Sequence, residues 1–180
     1  MKPMARTGRH DLSASPVWAT LPPMPRRPAL PAPDPQPPLC LKQHLCFALY
    51  AASNQMTRLA RPMLDELGLT YPQYLVMLVL WEHGTRTVGE IGEALLLDSG
   101  TLTPLLKRME ANGLLARRRD PEDERRVRVA LSPRGRVLKQ RAAGLPSYMR
   151  CQVELPPARM DQLRDQLLAL VEAMHPRAAD

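Results

Sequence analysis

TVGEIGEALLLDSGTLTPLLKRMEANG (residues 87–113), followed at once by LLARRRDPEDERRVRVALS (residues 114–132), is the stretch that decides the fold. Thr87-Val-Gly-Glu90 is a capping-box pattern that starts a short helix from Ile91 to Leu96. A tight turn is expected at Leu97-Asp-Ser-Gly100, and a second helix runs from it to the Asn112-Gly113 stop. The period then changes from helical to alternating. Leu114 to Arg119 reads as a strand, Asp120 to Glu124 as a turn, and Arg126 to Leu131 as a returning strand with one apolar face. Short helix, tight turn, helix and hairpin is the order of a winged helix-turn-helix.

Upstream, Leu41, Leu45, Leu49, Ala52, Met56, Leu59 and Met63 recur at steps of three and four, one apolar stripe along a helix that Pro62 should kink or divide. Thr70-Tyr-Pro-Gln73 starts the next helix with a capping box and a first-turn proline, and the run from Tyr74 to Trp81 is apolar nearly all round, so it belongs to the core. Downstream, Ser132-Pro133 caps a helix, Pro146 interrupts it, and Pro156-Pro157 opens a last helix with a seam of Met160, Leu163, Leu167, Leu170 and Met174. The central helices are too short to cover both terminal seams. Left in water, such surface costs roughly 25 cal/mol per Å². A homodimer through the N- and C-terminal helices removes that cost. The expected class is therefore mainly α with a small β-hairpin.

Residues 1–39 hold eleven of the twenty prolines and cannot bury an apolar face, so they read as a disordered Pro-rich extension. A basic arm on DNA, or a start codon placed too early, are the other readings of that segment. The folded domain should span residues 40–175, with 176–180 as a tail. The net charge of +7 favours a polyanionic partner, and aromatic residues at 4% imply an aliphatic core. Cys40, Cys46 and Cys151 are too few for a disulfide scaffold, and no pair has zinc-ligand spacing. No metal or other cofactor is expected. No apolar run approaches the ~18 residues of a membrane span, and no signal core follows Lys2 and Arg6, so a cytoplasmic protein without a membrane partner is expected.

The second helix of the motif is the candidate reading head. Ser99, Thr101 and Thr103 in its first turns are small donors and acceptors for base edges or phosphates of double-stranded DNA, and its N-terminal amides favour an anion. Lys107 and Arg108 add charge one turn on. In the hairpin, Arg117, Arg118 and Arg119 precede the acidic turn and Arg125, Arg126 and Arg128 follow it; of these, Arg117 and Arg125 are the expected DNA contacts. Asp123 is expected to brace Arg125 by a bidentate ion pair, so that the guanidinium enters a minor groove preorganised. The plain alternatives are helix caps and solvated surface charge.

Residues 119–125 (RDPEDER) with 131–135 (LSPRG) resemble the wing of the MarR family of dimeric repressors. Residues 45–50 (LCFALY), 69–75 (LTYPQYL) and 97–108 (LDSGTLTPLLKR) are similar to its OhrR-type organic hydroperoxide regulators. The resemblance covers roughly residues 40–175. It implies that Cys46 is the redox sensor, that Tyr71 donates a hydrogen bond to its sulfur from the partner subunit, and that an organic hydroperoxide is the signal for leaving the operator. Where relatives often place a second tyrosine this chain has Ala60, so Tyr50, one turn after Cys46, is the local residue best placed to help. A sulfenic acid is short-lived unless a thiol condenses with it. Some OhrR-type relatives have a second cysteine near the last helical region, joined to the sensor of the other subunit. Cys151 fits that place, whereas Cys40 reads as an inert residue at a ragged helix start. Two other functions stand beside this one: a repressor released by a small aromatic or anionic ligand, and a thiol peroxidase. The missing Cys-X-X-Cys pair and the Arg-rich hairpin argue against the enzyme.

Overall fold

The computed structural model describes residues 40–174; the expectations for the Pro-rich extension and the C-terminal tail lie outside the described residues. A 3-10 turn at Leu41–Gln43 leads into α1 (Leu45–Leu67). Then come α2 (Tyr71–His83), β1 (Arg86–Thr87), α3 (Val88–Leu95), α4 (Ser99–Ala111), β2 (Leu115–Arg119) and β3 (Val127–Leu131). Three helices finish the chain: α5 (Pro133–Ala142), α6 (Leu145–Cys151) and α7 (Pro157–Met174).

The caps foreseen from sequence form. Thr70 N–H donates to Gln73 Oε1 at 2.9 Å at the head of α2. At α3 the exchange is reciprocal: Thr87 N–H donates to Glu90 Oε2 at 2.7 Å, and Glu90 N–H to Thr87 Oγ1 at 3.2 Å. Ser132 does double duty. Its hydroxyl accepts from Gly135 N–H at 3.0 Å and donates to Gly113 O at 2.6 Å, tying the start of α5 to the stop of α4.

Several boundaries differ from expectation. Pro62 does not divide α1, which continues to Leu67 and closes on Gly68 in the left-handed region at φ 68°. Packing of Ala60, Leu64 and Leu67 into the core holds the helix together around the lost hydrogen bond. The turn of the helix-turn-helix is at Leu96-Leu97, not at 97–100. Asp98 is the N-cap of α4, so Ser99 and Gly100 are already helical. Leu96 takes φ 55°, and Leu97 N–H returns to Gly92 O at 2.9 Å. A Cβ on Gly92 would sit 2.8 Å from Leu97 O, so this turn requires glycine there. The hairpin also gains a third strand. β1 pairs antiparallel with β3 (Arg86↔Val129), giving the order β1-β3-β2. Two residues carry too little alternation to announce a strand.

The core joins α2 to the helix-turn-helix and the sheet. Met77 and Val76 of α2, Ile91 of α3, Leu102, Leu106 and Met109 of α4, and Val129 of β3 are wholly enclosed. Against this core α5 is locked by Trp81, whose Nε1 donates to Gly135 O at 2.9 Å; a Cβ at Gly135 would overlap the Leu114 carbonyl oxygen. The terminal helices differ. On α1 the buried face is Ala60-Leu64-Leu67, while Leu41, Leu45 and Met56 of the expected stripe are exposed. On α7 no residue is buried, and Leu163, Leu167 and Met174 stand in solvent.

Candidate nucleic-acid interface and thiol sites

Recognition geometry starts at Asp98. Its carboxylate accepts Thr101 N–H at 2.9 Å and Thr101 Oγ1–H at 2.8 Å, and these bonds hold its pKa below the ordinary 3.8. Sequence reading missed this cap, although Asp followed by Ser-Gly-Thr is a helix-start signal. The hydroxyl proton of Thr101 is spent on the cap, so toward DNA that oxygen can only accept. Ser99 and Thr101 are exposed, Thr103 is half-buried, and Lys107 and Arg108 are exposed further along α4. Leu102, Leu105, Leu106 and Met109 turn the opposite face into the core, which fixes the polar face outward.

Between α3, α4 and the wing lies an open cleft of about 530 Å³, lined by Glu90, Glu93, Thr103, Arg117, Arg125 and Arg126 among others. Arg125 and Arg126 are exposed there, but two expectations for the wing need correction. Asp123 does not form a bidentate pair with the Arg125 guanidinium; its Oδ1 accepts the Arg125 backbone N–H at 3.0 Å. The two residues are separated by one position in a turn, where a short carboxylate closes on the main chain more readily than on a long side chain. The tip is therefore braced through its backbone. The Arg117 side chain, expected to meet DNA, is held within the chain by an ion pair. Glu110 takes its Nη2 at 2.7 Å, its Nε at 2.9 Å and its backbone N–H at 2.8 Å. The same contacts hold the Glu110 carboxyl below its usual range.

Asp120 is a third wing residue that sequence reading left as surface charge. It is buried at 8% exposure; Oδ1 accepts Glu122 N–H at 3.1 Å, Oδ2 faces Arg128 at 4.0 Å, and its own N–H donates to Arg126 O at 2.9 Å. It closes the base of the loop that carries Arg125.

Cys46, the second residue of α1, is exposed, and Tyr50 one turn on is 66% exposed. Tyr71 opens α2 and lines a groove with Thr57, Arg58 and Arg61 of the same chain. Thr57 is eleven residues beyond Cys46 on α1, about 16 Å along the axis. Within one chain Tyr71 is therefore far from Cys46, and a shared site needs a second copy. Ala60 is fully enclosed. Cys151 is exposed as the last residue of α6, so it closes a helix where a break in the pattern was expected, and Cys40 is exposed ahead of the 3-10 turn. Among the described residues no group of three or more His, Cys, Asp or Glu is placed to hold a metal, and no helix is long and apolar enough to cross a membrane.

A three-stranded wing beside a capped, solvent-facing helix, with that helix's other face in the core, defines a winged helix-turn-helix transcriptional regulator. The family model "Transcriptional regulator SarA/Rot" matches residues 58–142. The organic hydroperoxide resistance transcriptional regulator of Bacillus subtilis is 48% identical over 135 residues, 75% of this chain and 92% of that protein. Reduced AbfR bound to DNA superposes with a TM-score of 0.61 at 32% identity, over 75% of this chain and 94% of that one. AbfR, known from Staphylococcus epidermidis, in its disulfide form gives 0.52 at 34% identity, over 73% and 92%. The chain belongs to the MarR family of transcriptional regulators, closely related to its OhrR- and AbfR-type redox sensors.

Proposed function

We propose that this chain is a homodimeric repressor that holds operator DNA through α4 and the wing and lets go when an organic hydroperoxide oxidises Cys46. The observation that carries the reading is the exposed thiol at the start of α1, beside Leu41 and Leu45, which its own chain leaves uncovered. A second copy covering α1 and α7 brings another chain's α2, and with it Tyr71, to a sulfur that its own Tyr71 does not reach. In the DNA complex Ser99, Thr101 and Thr103 face the major groove, Lys107 and Arg108 the phosphates, and Arg125 the minor groove.

The chemistry balances in two steps. The Cys46 thiolate attacks the outer oxygen of the hydroperoxide; the O–O bond breaks, the sulfur becomes a sulfenic acid, and the alcohol leaves after taking up a proton. The Cys151 thiol of the partner chain then attacks that sulfur, and water departs as the disulfide forms. Closing the bond requires Cα atoms within about 7 Å, which pulls α6 toward α1 and shifts the two recognition helices out of step with successive major grooves. Relatives solved both on DNA and as a disulfide support this sequence of states.

Non-reducing gels after one equivalent of cumene hydroperoxide test it. Wild type should run as a covalent dimer and lose DNA in a gel shift, while Cys46→Ser should do neither. A dimer band that survives in Cys151→Ser but vanishes in Cys40→Ser would assign the partner thiol to Cys40. Release of DNA by the peroxide from Cys46→Ser would sink the sensor assignment.

A further inference from the structure

Arg117 occupies an inward position of β2. It sits directly opposite Val129, which is wholly enclosed, and two residues after Leu115, which is 3% exposed on the same face. A guanidinium there needs a partner, and Glu110 supplies it from α4. β2 is also the edge of the sheet, so the Arg117 amide has no strand beyond it; the other oxygen of Glu110 accepts that amide. One carboxylate thus holds both the side chain and the backbone of the wing strand. Its residue also terminates the recognition helix, because Glu110 O accepts Gly113 N–H at 2.9 Å. A lone exposed ion pair would contribute little. A three-point attachment across a tight turn restricts an angle instead.

We propose that Glu110 and Arg117 form a positioning clamp that sets the wing relative to the recognition helix, so that Arg125 and the first turns of α4 reach adjacent grooves together. Arg117 is a positioning residue, not a phosphate ligand. The proposal rests on the DNA-binding reading above and adds a prediction of its own. Losing the clamp damages discrimination between sequences, which depends on both elements docking in register. Attraction to any DNA depends on the exposed arginines and stays.

The test uses the full chain to select duplexes from a random pool. Affinity for a selected duplex and for a random duplex is then measured across a range of salt. Arg117→Ala and Glu110→Gln should each bind the selected duplex about tenfold more weakly, and the double variant no worse than either alone. Random-duplex affinity and the salt slope should match wild type. The exposed Lys107→Ala is the comparator for a phosphate contact, with weaker binding to both duplexes and a slope shallower by about 0.9. Should Arg117→Ala fail to fold, Glu110→Gln carries the test, since it keeps the side chain's shape and an acceptor for the amide. Equal losses on both duplexes with a shallower slope make Arg117 a phosphate ligand and overturn the clamp alone, as does unchanged binding by both variants. A wild type that selects no duplex overturns the DNA-binding reading and the clamp with it.

Discussion

Three acidic residues in and around the wing share no single role, and their neighbours decide which role each has. Asp123 braces the tip through the Arg125 amide, Asp120 closes the loop base and faces Arg128, and Glu110 holds Arg117. Of the six arginines in the hairpin, Arg125 is the exposed one whose backbone amide a carboxylate, that of Asp123, holds within the loop. Arg125→Ala should weaken operator binding by about 1–3 kcal/mol. Arg126→Ala and Arg128→Ala should cost less, the latter because Asp120 already faces that guanidinium. Fluorescence anisotropy on a selected duplex checks the order, and three equal losses would mean diffuse attraction with no anchored tip. A run of Arg and Asp announces a charged wing. Which carboxylate meets which guanidinium was not legible, because Glu110 lies seven positions before Arg117 and the two meet only after the chain reverses at Gly113.

Helix starts were the most legible elements, since a cap is a contact over three residues and both partners are visible in one window. Thr87, Ser132 and Thr70 head their helices as read. Asp98 was missed, yet it governs α4 most directly. Its folded pKa lies below the ordinary 3.8 because Thr101 donates two hydrogen bonds to the charged form. A depressed carboxyl pKa contributes stability that is present above the unfolded value and lost as pH falls through the folded one. The cap of α4 should therefore hold at neutral pH and fail below about pH 3.8, with Glu110 losing its hold on Arg117 in the same acid range, below its ordinary 4.5. In a reversible acid titration followed by circular dichroism, Asp98→Asn should start less stable at neutral pH and show a shallower acid limb. An identical acid limb in the variant would remove Asp98 from the account.

The assembled protein depends on surface that one chain leaves uncovered. Leu163 and Leu167 on α7 are 46% and 38% exposed, and Leu41 and Leu45 near the start of α1 are 61% and 59% exposed. Glutamates at Leu163 and Leu167 would place like charges in the seam between two copies. That double variant should sediment as a monomer at micromolar concentration, retain the fold of the α2–β3 core, and lose most operator affinity because only one half-site is engaged. Sedimentation velocity with a gel shift checks this. A variant that stays dimeric would move the interface away from α7.

Local rules over three to eight residues determined the helix starts, the strand alternation and the winged order of elements, because those signals are written in adjacent positions. The resemblance at residues 45–50 singled out Cys46, and the residue types at 99–108 the reading face of α4. Tertiary structure alone decided three other things. Pro62 stays within α1 because Ala60, Leu64 and Leu67 are anchored in the core on either side of it. β1 exists because β3 offers an edge to Arg86 and Thr87, whose own sequence carries no strand signal. Arg117 belongs to Glu110 because the turn at Asn112-Gly113 folds the wing back on the recognition helix. Each of these depends on a contact between segments, which capping patterns and hydrophobic periodicity along one segment do not specify.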